Sequence, residues 1–419
     1  MHAASFFRTV LALGTLQVAG AWAQLPPGDG PNTVSTVMLE PSPVKFDESL
    51  LSQLKLPPGF KIDVYAKDMQ HVRWLQVAPN GDVYASRPRQ ADVLLLRDTD
   101  RDGRIDAQQI VAQNIKNVHG LLLKDGKLFM ASDKKVLVAD VQPDGSLTLP
   151  RVLLDDLPDG SQHPYRTLAS GPDGFLYVTV GSQCNNCVET NPEAATVLRM
   201  RPDGSARSVY ARGLRNTLGF AFSPVDGTLY GFDHGSDDRG DDVPPEELNA
   251  IRPNRHYGWP FCWGDRQVDM KQQNDPEGST RADFCPTTEA PALMTTAHSA
   301  PIGLVFYGGS QFPAEYRNSA FVAMRGSWNR GQPSGYKVVR VRFDAAGKPQ
   351  SIEDFVTGWL LPAPPAHLVQ PGAGPAAEQS KAGRPAQFGR LAGLAVAADG
   401  SLLIAEDQNG VIYRVSYAR

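Results

Sequence analysis

The side chains best suited to chemistry include an unusually acidic segment in the middle of the chain. The segment FDHGSDDRGDDVPPEELN (232–249) holds seven carboxylates, those of Asp233, Asp237, Asp238, Asp241, Asp242, Glu246 and Glu247. Carboxylate oxygens are the ligands that calcium prefers in proteins, but acidic side chains are also common on solvated loops. Taken alone, the segment is compatible with a metal site, an acidic binding surface or a solvated loop.

Polar and basic side chains recur just before the apolar strands of a sequence repeat. His163 precedes TLASGPDG, Arg215 and Asn216 precede LGFAF, His119 precedes GLLL and Arg390 precedes GLAV. If the repeats are structurally equivalent, these side chains converge at one end of the fold and form an anion-binding pocket with a resident base. The alternative is that they are unrelated polar residues at loop ends.

The repeat itself consists of an apolar pair, a turn with Asn-Gly or Asp-Gly, and a second strand. Clear copies occur at 74–86, 120–132, 167–180, 218–232 and 393–407, and a degenerate copy occurs at 303–324. The first four turn glycines are 45, 48 and 53 residues apart: Gly81, Gly126, Gly174 and Gly227. This period is typical of a four-stranded propeller blade.

The sequence therefore predicts an all-β fold, a six-bladed β-propeller with four-stranded antiparallel blades. The spacing alone also permits seven blades. We expect the early strand FKIDVYAKD and the terminal strand VIYRVSYA to share one blade and so close the ring.

The N-terminus has the pattern of a secretory signal peptide. Arg8 supplies a positive charge, residues 9–19 are mostly apolar, and Ala21-Trp22-Ala23 forms an A-x-A cleavage site. We expect a signal peptide at 1–23, an N-terminal extension at 24–54 and the propeller at 55–419, with insertions at 233–299 and 360–387. The mature protein would be periplasmic or secreted. An uncleaved N-terminal anchor is the alternative.

The net charge limits the kinds of partner that we expect, and the cysteines bear on the redox environment. A formal net charge of -4 gives no electrostatic reason to expect nucleic acid or an anionic membrane surface as a partner. No other apolar stretch is long enough to span a membrane. Because an exported protein meets an oxidising environment, we expect the four cysteines to form disulfides. Four cysteines allow three pairings. We expect the two local pairs, Cys184 with Cys187 and Cys262 with Cys285.

Familiar short motifs are either absent or incomplete. The chain has no G-x-S-x-G or H-E-x-x-H motif. The segment RDTDRDGRIDAQQ (97–109) begins like an EF-hand calcium loop, but Gln109 stands where that loop needs a bidentate Glu. We therefore favour a solvated turn, with a weak calcium site as the alternative.

Several linked motifs resemble those of the quinoprotein sugar dehydrogenases, the glucose/sorbosone dehydrogenase family, over residues 55–417. They are, in order, GPDGFLYVTVG, GLRN followed by GFAF, EELN followed by NRHYGWP, FVAMRGSWNRG and GLAVAADGSLLIAED. The sorbosone-type branch is the most similar. This resemblance implies a six-bladed propeller that uses pyrroloquinoline quinone (PQQ) and calcium to oxidise a small-molecule sugar or related aldehyde. Electrons would pass to an external acceptor, a cytochrome or a quinone.

The resemblance also implies a role for each matching residue. His163 would be the catalytic base, and Arg215 would stabilise negative charge on the cofactor, which Arg215 and Asn216 hold. The other implied cofactor ligands are His119, Arg325 and Arg390. The main-chain carbonyls of Gly235 and Ser236 would ligate the cofactor's calcium, and Glu247 and Tyr257 would belong to a second, structural calcium site. The pattern departs from the family at Gln162, Ser236 and Ala392.

Two other functions remain alternatives at this stage. A calcium-dependent, lactonase-like propeller hydrolase would hold its metal through side-chain carboxylates and Asn, without a cationic pocket, so Arg215, Arg325 and Arg390 argue against it. A non-catalytic propeller that binds a glycan or a protein would be preferred if the channel were blocked.

Overall fold

The structure, a computed structural model, describes residues 38–362 and 385–418. The expected signal peptide and most of the insertion expected at 360–387 lie outside these residues. The described chain begins with strand β1 (Ser42–Pro43), a short 3-10 helix (Glu48–Gln53) and strand β2 (Phe60–Ala66). Asp47 caps this helix, because its side chain accepts a hydrogen bond from the Ser49 backbone N–H. The first N–H groups of a helix have no partner within the helix, so such a cap stabilises its start.

The first three sheets each contain four consecutive antiparallel strands. Sheet 1 has β3 (Trp74–Val77), β4 (Val83–Arg87), β5 (Asp92–Arg97) and β6 (Ala107–Ala112); sheet 2 has β7 (Leu121–Lys124), β8 (Lys127–Ala131), β9 (Val136–Asp140) and β10 (Arg151–Leu154); sheet 3 has β11 (Leu168–Ser170), β12 (Leu176–Val180), β13 (Thr196–Met200) and β14 (Ser208–Arg212). The Asn-Gly and Asp-Gly turns of the repeat join the first two strands of each sheet, as the sequence predicts.

The fourth sheet is interrupted by a long excursion. It contains β15 (Phe220–Phe222), β16 (Leu229–Asp233), β17 (Glu246–Ile251) and, after the excursion, β21 (Leu293–Thr295). The excursion begins with β18 (Arg255–His256), which pairs in parallel with β14. It continues with a hairpin of β19 (Cys262–Trp263) and β20 (Gln267–Val268), helix α1 (Arg281–Phe284) and a 3-10 turn (Cys285–Thr287). The insertion expected at 233–299 therefore contains two strands of sheet 4 as well as loops.

The last two sheets complete the described chain. Sheet 5 has β22 (Pro301–Phe306), β23 (Ala320–Met324), β24 (Lys337–Phe343) and β25 (Pro349–Val356), with a 3-10 turn at Ala314–Tyr316. A small sheet follows, in which β26 (Leu360–Leu361) and β27 (Ala386–Gln387) pair with β1. Sheet 6 has β28 (Leu391–Val396), β29 (Leu402–Glu406), β30 (Val411–Tyr417) and β2. The early strand β2 pairs with the C-terminal strand β30, and Phe60 lies opposite Tyr417.

The hydrophobic core is divided among the interfaces between neighbouring sheets. Leu128 and Met130 of sheet 2 pack with Leu95 of sheet 1, and the same arrangement recurs along the chain. Sheet 6 also packs on sheet 1, since Leu403 and Ile412 share a cluster with residues of β4 and β5. The fold is thus nearly all-β, and its successive four-stranded antiparallel sheets are consistent with a β-propeller.

Glycines bring the first strands of neighbouring sheets close together. A Cβ atom on Gly120 would lie 2.7 Å from the carbonyl oxygen of Arg166, and one on Gly393 would lie 2.4 Å from that of Arg73. Gly219 and Gly303 make equivalent approaches to the next strand. Because only glycine leaves room at these contacts, the residues that precede each first strand are brought together at one end of the sheets.

Candidate active site

A cavity of about 370 Å³ lies where the first strands of the sheets begin. The residues that line it are mostly polar, and they include His71, Arg73, Arg89, His163, Tyr165, Arg215, Asn216, Gly235, Asp237, Glu246, Arg325, Asn329, Arg390 and Asp407. His163, Arg215, Asn216, Arg325 and Arg390, which the sequence analysis assigns to one pocket, therefore do meet in space.

His163 is held as a neutral imidazole with one nitrogen committed to the backbone. Its Nδ1 lies 2.8 Å from the carbonyl oxygen of Ser182, which can only accept a hydrogen bond, so Nδ1 carries the hydrogen and Nε2 carries the lone pair. Burial, reinforced by the nearby Arg215 guanidinium, lowers the pKa of His163 to about 3. A neutral imidazole with a free Nε2 lone pair can act as a proton acceptor.

Arg215 is almost fully buried and is fixed by three hydrogen bonds. Its Nε donates to the Asn185 carbonyl oxygen at 2.8 Å, and its Nη2 donates to the Asn185 side-chain Oδ1 and to Asp237 Oδ2, both at 3.0 Å. Asn329 Nδ2 donates to the other Asp237 oxygen at 2.8 Å. Of the alternatives for the acidic segment, a solvated loop therefore does not hold for Asp237, which lines the cavity and pairs with Arg215.

The carboxylate of Asp233 determines the conformation of the turn that carries Arg215 and Asn216. It accepts hydrogen bonds from the backbone N–H groups of Arg215 and Asn216 and from the Thr217 hydroxyl, each at 2.8 Å. A Cβ on Gly181 would lie 2.9 Å from Asn216 Oδ1 and 2.7 Å from the His163 Cβ. Gly181 therefore leaves room for both the Asn216 amide and the His163 side chain.

Asp407 joins two cavity arginines. Arg73 Nη1 donates to Asp407 Oδ2 at 2.6 Å, and Arg325 Nη1 donates to Asp407 Oδ1 at 2.8 Å. Burial opposes ionisation of this carboxyl, but the Arg325 and Arg73 guanidiniums outweigh it and lower the pKa of Asp407 to about 2. Arg73 also lies 4.5 Å from the ring centroid of Tyr165. One carboxylate thus holds two cations at the cavity wall.

Arg390 is the third cation of this wall. Its Nη1 donates to Glu40 Oε1 at 2.9 Å and its Nη2 to the Gly326 carbonyl at 2.7 Å. The Nε atoms of Arg390 and Arg73 are buried and have no hydrogen-bond partner among the described residues. Such unpaired donors at a cavity wall are suited to an anionic ligand.

His119 does not reach the cavity, which differs from the expected cofactor contact. It is fully buried, its ring stacks on Tyr165 with centroids 4.9 Å apart, and its Nδ1 lies 3.2 Å from the Arg166 carbonyl oxygen. His119 is adjacent to its strand-entry residue, Gly120, whereas His163 and Arg215 precede the equivalent residues by four positions. The stacked Tyr165 ring and the Arg166 carbonyl therefore hold the imidazole away from the cavity.

The backbone at Gly235 and Ser236 lies between the main cavity and a much smaller one. Within the described residues, neither carbonyl oxygen accepts a hydrogen bond, while the Gly235 N–H donates to Glu246 Oε2 at 3.2 Å. Burial raises the pKa of Glu246 to about 8. Two free backbone carbonyls beside a carboxyl group are oxygen donors of the kind that calcium binds.

Glu247 and Tyr257 both line the smaller cavity, whose volume is about 20 Å³. Glu247 Oε1 accepts the Gly264 N–H at 2.5 Å, and burial raises the pKa of this carboxyl to about 8. The Tyr257 hydroxyl donates to the Ala250 carbonyl at 2.6 Å and accepts the Arg252 N–H at 2.8 Å. The second oxygen of Glu247 accepts only a long contact from Asn249 Nδ2 at 3.4 Å, so it can still bind a ligand, whereas the Tyr257 hydroxyl is already engaged.

The other metal and cysteine predictions concern separate loops. In the EF-hand-like segment, ligand oxygens of Asp98, Asp100 and Asp106 lie within 4.8 Å of one another. Both expected local disulfides are present, Cys184–Cys187 and Cys262–Cys285. No helix among the described residues is long and apolar enough to cross a membrane.

The charges of the main cavity suit a polyanionic cofactor. Five arginines and three carboxylates line it: Arg73, Arg89, Arg215, Arg325, Arg390, Asp237, Glu246 and Asp407. Because the pKa of Glu246 is raised to about 8, this carboxyl is largely protonated at neutral pH, so the cationic excess grows. PQQ is a flat tricarboxylate, and the donor set fits it.

The successive four-stranded sheets are consistent with a β-propeller class of protein, and the cationic cavity lies where their first strands begin. A model of the TrAA12-like family matches residues 54–418, and the chain belongs to that family. An uncharacterized protein of Borreliella burgdorferi is 27% identical over 402 residues, a match that covers 92% of this chain and 97% of the relative.

Solved structures share the fold at low sequence identity. The holo form of the pyranose dehydrogenase PQQ domain from Coprinopsis cinerea has a TM-score of 0.69 and 20% identity, and the match covers 87% of this chain and 97% of that one. The calcium structure of the Trichoderma reesei protein of carbohydrate-active enzyme family AA12 also has a TM-score of 0.69, with 18% identity and coverage of 92% and 99%.

Proposed function

We propose that the protein is a PQQ- and calcium-dependent dehydrogenase that oxidises a sugar or related aldose or aldehyde. The observation that carries the proposal is the meeting of the neutral His163 imidazole and a group of arginines in one cavity. The family match and the names of the similar structures, a PQQ domain and a calcium structure, support the same chemistry.

The cavity residues supply the contacts that such a cofactor needs. Arg325 and Arg390, with Arg73 beside them, would pair with cofactor carboxylates, and Asn216 and Arg215 would contact its quinone side. The Gly235 and Ser236 carbonyls would ligate the calcium beside it, and Glu247 would serve a second, structural calcium with Tyr257 as a neighbour. When bound, PQQ supplies a two-electron acceptor that takes a hydride from the substrate carbon.

The chain's own groups perform the remaining chemistry. His163 Nε2 accepts the proton of the substrate hydroxyl, and Nδ1 stays bonded to the Ser182 carbonyl, so the ring keeps its orientation. The Arg215 guanidinium stabilises negative charge that develops in the cavity, because Asn185 and Asp237 hold it in place before the reaction. Electrons then leave to a separate acceptor, a cytochrome or a quinone.

The fold that we propose for this site is a closed six-bladed propeller over residues 55–419, preceded by a signal peptide at 1–23 and an extension at 24–54. The pairing of β2 with β30 and the packing of sheet 6 on sheet 1 support closure. Export to the periplasm or the medium agrees with the two disulfides. Membership of the sorbosone-type branch remains part of this proposal.

The alternatives are less well supported by the cavity. A lactonase-like hydrolase would hold its metal by several side-chain carboxylates, whereas Asp237 and Asp407 are both paired with arginines. A purely binding propeller has no need of a buried neutral histidine with a free nitrogen beside unpaired guanidinium atoms.

Calorimetric titration of the cofactor-free protein with PQQ tests the proposed site. Binding should require calcium and should weaken about 10- to 100-fold in Arg390→Gln, because one charge-assisted contact is lost. The matched control Arg342→Gln changes an exposed arginine outside the cavity and should bind as the wild type does. Absence of binding to the wild-type protein with calcium present would reject the proposal.

A further inference from the structure

The loop between β12 and β13 contacts the proposed base through Ser182. The Ser182 carbonyl accepts the His163 Nδ1 hydrogen at 2.8 Å, and the Ser182 hydroxyl lies 3.0 Å from the same nitrogen. That hydroxyl also lies 2.7 Å from the Cys184 carbonyl oxygen, to which it donates. The orientation of the imidazole therefore depends on the path of the backbone from Ser182 to Cys184.

Three residues along the chain, the same loop holds the proposed charge-stabilising arginine. Asn185 accepts from Arg215 twice, through its carbonyl at 2.8 Å and its side-chain Oδ1 at 3.0 Å. The same Oδ1 accepts the Asp237 backbone N–H at 2.8 Å. Asn185 thus fixes Arg215 relative to the segment that carries Gly235 and Ser236.

Asn186 anchors the loop to the excursion of sheet 4. Its Nδ2 donates to the Pro260 carbonyl at 3.1 Å and to Asp269 Oδ2 at 3.0 Å, and its Oδ1 accepts from Gln272 Nε2 at 2.6 Å. Asn185 therefore contacts Arg215 and Asp237, whereas Asn186 contacts the supporting loops and also donates to Ser236 Oγ at 3.3 Å.

The disulfide Cys184–Cys187 closes a small ring around these two asparagines. Within such a ring the backbone has fewer conformations than an open loop, so the Asn185 carbonyl stays at the position that Arg215 Nε needs. Neither cysteine lines the cavity. The ring therefore affects the site by fixing the position of the backbone and not by lining the cavity.

We propose that the ring Cys184–Cys187 is a positioning element of the active site, in which Asn185 and the disulfide hold Arg215 in its working orientation. This inference rests on the proposed function for the role of Arg215. Asn185 and the cysteines are positioning residues, because they are not among the described residues that line the cavity.

Steady-state kinetics of the holoenzyme provide the first test. Asn185→Ala and the double variant Cys184→Ser/Cys187→Ser should each lower kcat about 10- to 100-fold, since charged hydrogen bonds to Arg215 are lost or misplaced, with much less change in KM for the sugar. The matched control is Gln183→Ala, in the same loop, whose side chain reaches only the Asp159 carbonyl. It should keep wild-type kinetics.

Hydrogen exchange at Arg215 Nε provides a second test that needs no cofactor and no turnover. The resonance is assigned by its disappearance in Arg215→Lys. It should be protected in the wild type and in Gln183→Ala and should exchange at least about tenfold faster in the double serine variant. If that variant does not fold, Asn185→Ala alone decides, through kcat and the same exchange rate.

The outcomes separate this proposal from the function on which it rests. If the wild-type protein oxidises no sugar, the proposed function fails, and the exchange rates still decide whether the ring holds Arg215. If the enzyme is active but Asn185→Ala retains wild-type kcat and unchanged Arg215 protection, the positioning role is rejected. A fall in kcat that Gln183→Ala shares would also reject it, as a general effect of altering the loop.

Discussion

His163 Nδ1 lies 2.8 Å from the backbone carbonyl oxygen of Ser182, and this contact determines which imidazole nitrogen is free. A carbonyl oxygen cannot donate, so the proton must reside on Nδ1 and the lone pair on Nε2. The free Nε2 lone pair that the proposed role of His163 requires therefore follows from a contact with the backbone of Ser182.

Replacing His163 with Ala should abolish turnover and leave cofactor binding nearly intact. The expected loss in kcat is about 10²- to 10⁴-fold, the usual contribution of a general base. Dye reduction measures turnover and calorimetry measures binding of PQQ. His71→Ala, which removes another histidine of the cavity, should retain most activity. Retained turnover in His163→Ala would remove its assignment as the base.

The protonation of His163 makes a prediction for the cofactor-free protein. Because burial and Arg215 lower its folded-state pKa to about 3, the imidazole should stay neutral in an NMR titration from pH 7 to pH 4. Between pH 6.5 and pH 3 the unfolded chain binds a proton that the folded protein does not, so this group reduces stability as the pH falls. A His163 titration midpoint near 6.5 would contradict the buried neutral state.

Asp237→Asn should lower kcat/KM by about tenfold, since it weakens the charged contact that helps to orient Arg215. Asp242→Asn provides the matched control, because this carboxylate of the same segment is exposed and pairs with Arg330, which does not line the cavity. Equal effects of the two changes in dye-reduction assays would argue against a specific role for Asp237.

Asp407→Asn should destabilise the cofactor-free protein by about 3–5 kcal/mol, because it leaves the buried Arg73 and the partly buried Arg325 without a counter-charge. Urea unfolding measures the change. The control Asp354→Asn breaks an exposed pair with Lys337 and should cost less than about 1 kcal/mol. A similar small cost for both variants would show that Asp407 is not a structural centre of the cationic wall.

The sequence repeat predicts the fold because each repeat of the sequence corresponds to one four-stranded sheet. Each tight Asn-Gly or Asp-Gly turn predicts a hairpin, and the distances between Gly81, Gly126 and Gly174 predict four strands for each unit. The sequence could not show where a blade is interrupted. Strand β17 lies within the region expected to be an insertion. The proline and acidic residues that precede it are typical of loops, so the sequence pattern does not indicate a strand there.

Part of the site was also predictable, namely the residues that precede each first strand. Arg73 follows the same rule and was missed, although it precedes β3 as His119 precedes β7. Asp407 was missed for a different reason: it follows the second strand of its repeat. In an antiparallel hairpin the start of the first strand and the end of the second lie at the same edge, so both positions should be inspected.

Contacts between distant segments could not be predicted in this way. Asp237 resembles its acidic neighbours in the sequence, and only the approach of Arg215 and Asn329 distinguishes it. The burial of His119 likewise depends on its contacts with Tyr165 and the Arg166 carbonyl, which composition does not reveal.

The most direct test of the central claim is reconstitution of the cofactor-free protein with PQQ and calcium, followed by dye reduction across a panel of sugars. We predict that at least one sugar bleaches the quinone absorbance and reduces the dye, that both calcium and PQQ are required, and that His163→Ala abolishes the reaction. Absence of any quinone absorbance change and of activity on every sugar would contradict the account.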